Sequence, residues 1–269
     1  MHPKRLVGIA GFELVRLFLT KRGLLSVGAF LICWLLILRY PIAESGTLLS
    51  STEFAGFFDS VFGAIGLSKL LTWAESELAV YWLIALYSFP SFCLFLSSDQ
   101  TVGDKQRGTL RFLTLRATRS EILFGRFLGQ VLITATLILL TLAATMAVLS
   151  FREPTLFVAA LSRSFLLFAY LLISVMPFIA LMSFFNTFAS TARSALVFAV
   201  LFFIGGGILI GLLTWQIPAL ELLNLVFPGY QLDQMAGQNA DTLLGIGLPL
   251  GQTFVLLLLA QRVFARSSI

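Results

Sequence analysis

The sequence predicts an all-α membrane protein with six transmembrane helices, on three observations. The 269-residue chain is 58% hydrophobic and only 12% charged, where soluble domains carry about 45–50% apolar and about 25% charged residues. Its mean hydropathy is +0.96. The apolar residues fall in continuous runs near the length of a bilayer-spanning helix, about 20 residues, without the alternation of barrel strands. The few charges are clustered rather than spread over a surface. Too little charge is present to cover a water-facing domain, which excludes a soluble enzyme, a disordered chain and a disulfide scaffold.

Taken in order, residues 4–22 read as an amphipathic helix lying in the membrane interface. At 100° per residue, Arg5, Glu13, Arg16 and Thr20 gather on a narrow strip, and Leu6, Val7, Leu14, Leu17 and Phe18 occupy the broad opposite face. Spans are expected at about 24–40, 78–98, 121–150, 164–185, 195–214 and 243–264, within one transmembrane domain covering 1–269. The run at the amino end starts late and lacks a small-residue cleavage pattern, so it reads as no cleavable signal. Between spans one and two, 54–73 reads as a helix on the outer surface. Between spans five and six, the chain reads as an outer helical hairpin broken at Pro228-Gly229.

The basic residues set the orientation. Lys4, Arg5, Arg16, Lys21 and Arg22 precede span one; Lys105, Arg107, Arg111, Arg116, Arg119 and Arg126 lie between spans two and three; Arg193, Arg262 and Arg266 fall on the same side. Only Arg39, Lys69, Arg152 and Arg163 fall on the other, a split of 14 to 4. Both termini are therefore expected in the cytoplasm, with the chain in a bacterial inner membrane.

The spans hold little that can do chemistry. Arg163 is the one ionisable candidate inside them, and a small shift of the span start makes it a snorkelling interfacial residue. Hydroxyls, Asn186 and Gln252 read as glue between helices. Cys33 and Cys93 read as apolar filler, and Pro90, Pro177 and Pro249 as kinks that can serve as hinges. The single histidine, His2, stands near the chain start, and no cluster has metal-ligand spacing. No catalytic, metal or cofactor site is expected on this chain. Nothing matches Gly-x-x-x-x-Gly-Lys-Ser/Thr, so ATP and its magnesium, if used, must bind another subunit.

The most informative stretch joins spans two and three. It reads as a charged turn, a short amphipathic helix and a second turn, with Leu110, Leu113 and Phe112 presenting an apolar face and Lys105, Arg107 and Arg111 facing water. Such a knob suits a pocket on a soluble subunit. Asp104, Gly108-Thr109-Leu110, Arg119-Ser120-Glu121-Ile122-Leu123 and Gly125-Arg126 occur in the order that resembles type-2 ATP-binding-cassette (ABC) transporter permeases. The likeness is greatest to the branch containing the nitrous-oxide-reductase maturation permease. Arg116 stands where many members have Pro, and Arg126 where Lys is common.

The resemblance implies a pair of permease chains, identical or different, docked on a cytoplasmic ABC ATPase. Asp104, Arg107, Gly108, Thr109, Leu110, Arg111, Leu113, Arg119 and Glu121 would form the coupling helix region, with Arg5, Glu13 and Arg16 of the interfacial helix assisting. Export of a hydrophobic or amphiphilic substrate is the function expected. The alternative is a membrane-embedded assembly or maturation factor whose ATPase acts on a partner protein, with a periplasmic protein as the candidate partner. A secondary transporter is disfavoured because no buried acids or internal repeats are found, and no nucleic acid partner is expected.

Overall fold

The computed structural model describes residues 2–46, 73–236 and 243–266. The expected outer helix at 54–73 lies outside them except for Trp73. Among the described residues all regular structure is helical. Six helical stretches are long and apolar enough to cross a membrane: Gly23–Ile42, Ser76–Gln106, Arg119–Arg152, Pro154–Phe188, Ala192–Gln216 and Gly245–Arg266.

Helix α1, Pro3–Leu19, turns at Thr20 into α2, Lys21–Ile37, and the Thr20 hydroxyl accepts from the Gly23 amide to cap the second helix. Helix α3, Ser76–Leu96, is followed by two short helices, α4 (Val102–Gln106) and α5 (Thr109–Thr114). Helices α6, Arg119–Arg152, and α7, Phe157–Phe188, are the two longest and pack on each other. Span five combines α8, Ala192–Val200, a π turn at Leu201–Gly205, and α9, Gly206–Gln216. A 3-10 segment, Pro218–Val226, and the short α10, Leu232–Ala236, lead towards α11, Leu248–Arg266.

The core is built on α3. Tyr81, Trp82, Leu86 and Phe89 are buried against Ile133, Leu137, Ile138 and Leu142 of α6 and Leu167, Leu171 and Val175 of α7. Polar contacts join the same helices: the Tyr81 hydroxyl lies 3.1 Å from that of Thr141, and Cys93 Sγ lies 3.4 Å from the Thr134 hydroxyl. Such bonds matter in hydrocarbon because water offers no alternative partner. Span one attaches through Phe30 and Trp34, whose rings lie 5.4–6.0 Å from Phe89 and Tyr81 or each other. Otherwise spans one and five are bare, with 11% of their apolar windows buried. Cys33 on span one is exposed, unlike buried Cys93, because the helix meets the bundle along only one edge.

Pro249 lies inside the last span, Gly245–Arg266, where a π-helical turn, Leu243–Gly247, runs directly into α11. Pro90 and Pro177 lie inside α3 and α7 and are buried. One expectation for the spans changes. Arg163 belongs to a helix that begins seven residues earlier than expected, and it does not simply snorkel. Its guanidinium pairs with Glu75 and sits 4.5 Å from the Trp73 ring centroid. Beside it, Arg152 Nε and Nη2 face the two oxygens of the buried Glu77 carboxylate at 2.5 and 3.0 Å. These two pairs fasten the start of α3 to α6 and α7.

Solvent reaches the Arg152 side chain, which is 35% exposed, so the pair is worth less than a fully buried one. Arg152→Ala is expected to cost about 2 kcal/mol, below the 3–5 for a stranded, fully buried partner. The Arg152→Gln/Glu77→Gln double variant should lose less than R152A. Unfolding midpoints in detergent check the order.

Candidate functional site

The end of the bundle opposite those pairs gathers the amino terminus, the α3–α6 connection and the carboxyl end of α11. Its centre is Arg126, whose residue is 3% exposed although it carries a guanidinium. Arg126 Nη1 donates to Glu13 Oε1 of α1 at 2.9 Å and to the Gln100 carbonyl; Nη2 donates to Asp104 of α4. Arg16 of α1 donates to Asp99 at 3.3 Å. A buried guanidinium needs opposite charge beside it, which Glu13 and Asp104 supply to the two terminal nitrogens, while Nε has no hydrogen-bond partner; the fork lets one side chain hold α1 and the connection together.

Small residues make this approach possible. A Cβ on Gly125 would stand 2.9 Å from Ile9 Cβ, and one on Gly129 would stand 2.8 Å from Glu13 Cβ. The two glycines, one helical turn apart on α6, form the notch in which α1 lies. This changes the expected setting of α1 at one residue of its polar strip. Glu13 faces the bundle and is 4% exposed, beside buried Ala10 and Leu17, while the apolar Val7, Phe12, Val15, Phe18 and Leu19 are exposed. Arg126 supplies the counter-charge that draws Glu13 inward, and Arg16 stays partly exposed.

The connection 97–118 is tied at both ends. Lys105 Nζ donates to the Asn186 and Thr187 carbonyls at 2.8 and 2.5 Å, satisfying the open carboxyl end of α7. The Asn186 amide donates to the Ser97 carbonyl at 2.8 Å, and the Ser183 hydroxyl to Gln100 Oε1 at 2.7 Å. Gly108, at φ +69°, breaks α4 from α5 in a conformation that disfavours a side chain. The Thr109 hydroxyl donates to Asp104 Oδ1 at 3.0 Å, fixing the carboxylate that meets Arg126.

The residues expected to grip a partner divide into two groups. Asp104, Arg119 and Glu121 are internal joints. Glu121 and Thr118 form a reciprocal cap at the start of α6, and Glu121 also accepts from the His2 amide at 2.7 Å and lies 3.8 Å from Arg5. Arg119 donates to the Phe264 and Ala265 carbonyls at 3.1 and 2.9 Å. Leu110 is 1% exposed and packs on Ile122, Leu123, Ala260 and Phe264, so it cannot form the expected outward apolar face. A six-residue helix lying across α6 and α11 must bury one side, and Leu110 is on it. Leu113 is half-buried, while Arg107, Gly108, Thr109 and Arg111 are exposed. The outward apolar residues are Phe112 and Leu115, 71% and 82% exposed.

Sequence reading counted Arg126 as one more loop cation and passed over Gln100, Lys105, Gly129 and Asn186 as site residues. A signal existed for Arg126: an arginine seven residues into a 34-residue apolar helix needs a buried partner.

Six helical stretches long and apolar enough to span a bilayer, with a charged joint at one end, describe a multi-pass membrane protein. Residues 43–268 match the family described as ABC-2 family transporter protein, and the chain belongs to that family. It is thus a transmembrane permease of an ABC transporter. Among curated proteins none matches this chain. The family match begins where span one ends, so α1 lies before it.

Replacing Arg126 by Met strands Glu13 and Asp104 and is expected to cost about 3–5 kcal/mol. Arg126→Lys should recover only part, because an ammonium lacks the fork. Denaturant titration in detergent reads both. Gly129→Leu should free α1, seen as protease cleavage within residues 3–19 while the spans stay protected.

Proposed function

We propose that this chain is the membrane half of an ATP-driven exporter, docking a separate cytoplasmic ABC ATPase at its basic end and working with a second permease chain. The observation that carries this reading is the division of labour in 97–121. Arg126, Lys105 and Arg119 lock the connection onto α1, α7, α6 and α11, while Arg107, Arg111, Phe112 and Leu115 project from it. A surface held at so many points transmits a push to the spans instead of yielding to it. Phe112 and Leu115 supply apolar anchors, and Arg111 and Arg116 a cationic rim, the composition of an energetically effective contact. The short helix Thr109–Thr114 is the coupling element in this reading, and α1 braces it through Glu13.

The bare spans one and five suit a second permease chain, with a path for a hydrophobic or amphiphilic molecule between the two. ATP closing the ATPase pair would shift the balance between two arrangements of that dimer. The basic end is cytoplasmic in this reading, so both termini are too. The ordered matches from Asp104 to Gly125-Arg126 favour the branch that includes the nitrous-oxide-reductase maturation permease.

Phe112→Asp combined with Leu115→Asp is expected to abolish co-purification of the ATPase while leaving the yield of the permease unchanged. Co-purification at wild-type yield would remove the docking assignment. Leu110→Asp should instead lower the yield of the permease itself, since it places a carboxylate in the chain's own core. Transport by the permease–ATPase pair in sealed vesicles tests the exporter reading; transport that needs a further protein would favour the maturation factor.

A further inference from the structure

A pocket of about 320 Å³ opens at the basic end between α1, α2, α3 and α6. Its walls differ in chemistry. Leu17, Leu96 and Ile133 make one apolar side, while Arg16, Lys21, Arg107, Thr20 and Gln130 make a polar one, with Glu13 and Asp99 between. The two carboxylates are spent: Glu13 on Arg126, and Asp99 on Arg16. Among the described residues Lys21 and Arg107 have no ion-pair partner. Lys21 also opens the 17-residue α2, whose amino end carries a partial positive charge.

An independent observation comes from Gln130. It is 5% exposed and lines the pocket, yet its Oε1 is buried without a hydrogen-bond partner. A buried carbonyl oxygen left unpaired costs free energy, and a ligand hydroxyl would satisfy it once the terminal amide turns toward the pocket its residue lines. Two cations, a helix amino end, an unmet acceptor and an apolar wall together describe a phosphate carrying both a hydroxyl and a hydrocarbon chain.

We propose that this pocket binds the headgroup of an anionic glycerophospholipid of the phosphatidylglycerol type from the cytoplasmic leaflet. The phosphate lies against Lys21, Arg107 and the start of α2, a headgroup hydroxyl donates to Gln130 Oε1, and an acyl chain follows Leu96 and Ile133. The bound lipid then stitches α1 to spans one, two and three beside the Arg126 joint. The assignment rests on the reading of the basic end as cytoplasmic, but not on the ATPase dock.

Lipid retention on the purified full-length permease, measured by native mass spectrometry with lipids of matched acyl chains, is the test. Phosphatidylglycerol should be retained over phosphatidylethanolamine, and Lys21→Ala should weaken it about five-fold, the worth of one cation at roughly 1 kcal/mol. Gln130→Leu should weaken phosphatidylglycerol but leave phosphatidylmethanol, which has the phosphate without the hydroxyl, unchanged. Equal retention of the charged and zwitterionic lipids would overturn the proposal, as would K21A and Q130L variants that bind like wild type. Inorganic phosphate that stabilises lipid-free permease as much as phosphatidylglycerol does would assign the pocket to a soluble anion and overturn the lipid. Because the readout needs no ATPase, failure of the dock at Phe112 and Leu115 leaves this outcome distinct.

Discussion

The structure depends on one buried cation. Removing a guanidinium from water costs several kcal/mol, and nothing in an apolar helix such as α6 repays it locally. Repayment comes from two segments distant in sequence: Glu13 of α1, and the α3–α6 connection, which supplies the Gln100 carbonyl and Asp104 of α4. Each of those groups is in turn committed, Asp104 to the Thr109 hydroxyl and the Gln100 side chain to Ser183. The need to neutralise Arg126 therefore fixes where α1 lies, how the α3–α6 connection folds, and which side of α5 is left for a partner.

The two ends of the bundle solve the same electrostatic problem differently. At one, Glu75 and Glu77 meet Arg163 and Arg152 in separate pairs that remain partly open to solvent. At the other, Glu13 and Asp104 share the guanidinium of Arg126 in a site almost closed to solvent, and separate contacts of Glu121 and Arg119 tie His2 and α11 to the start of α6. Separate, wet pairs can exchange partners at little cost, whereas a shared, dry network moves as one body. On the docking proposed above, the stiffer arrangement stands where the ATPase would push.

Much of the fold was legible, and for physical reasons. A helix in hydrocarbon must be long, apolar and internally hydrogen-bonded, so the six spans stand out as runs of sequence. The Gly108 break and the Thr118–Glu121 cap also leave local signatures. What could not be read were the partnerships between distant residues. The amphipathic strip of α1 looks the same whether it faces water or a buried arginine; only the notch at Gly125 and Gly129 decides, and it lies over a hundred residues away. Leu110 and Leu115 are alike as letters, and the packing of α5 on α6 and α11 alone makes one core and the other surface. The start of α7 was misplaced because Arg163 reads as a boundary until Glu75 and Trp73 are seen beside it.

The pairing of Glu13 with Arg126 also sets a timetable for making the protein. The two residues are 113 positions apart, so at about 5–20 residues per second the ribosome delivers the arginine roughly 6 to 23 seconds after the glutamate. Throughout that interval α1 has neither its counter-charge nor its glycine notch. The apolar side that the finished protein turns outward is then the only thing available to hold the young helix at the membrane. Docking of α1 is thereby postponed until the start of the third span has been made, although α1 itself is synthesised before the first.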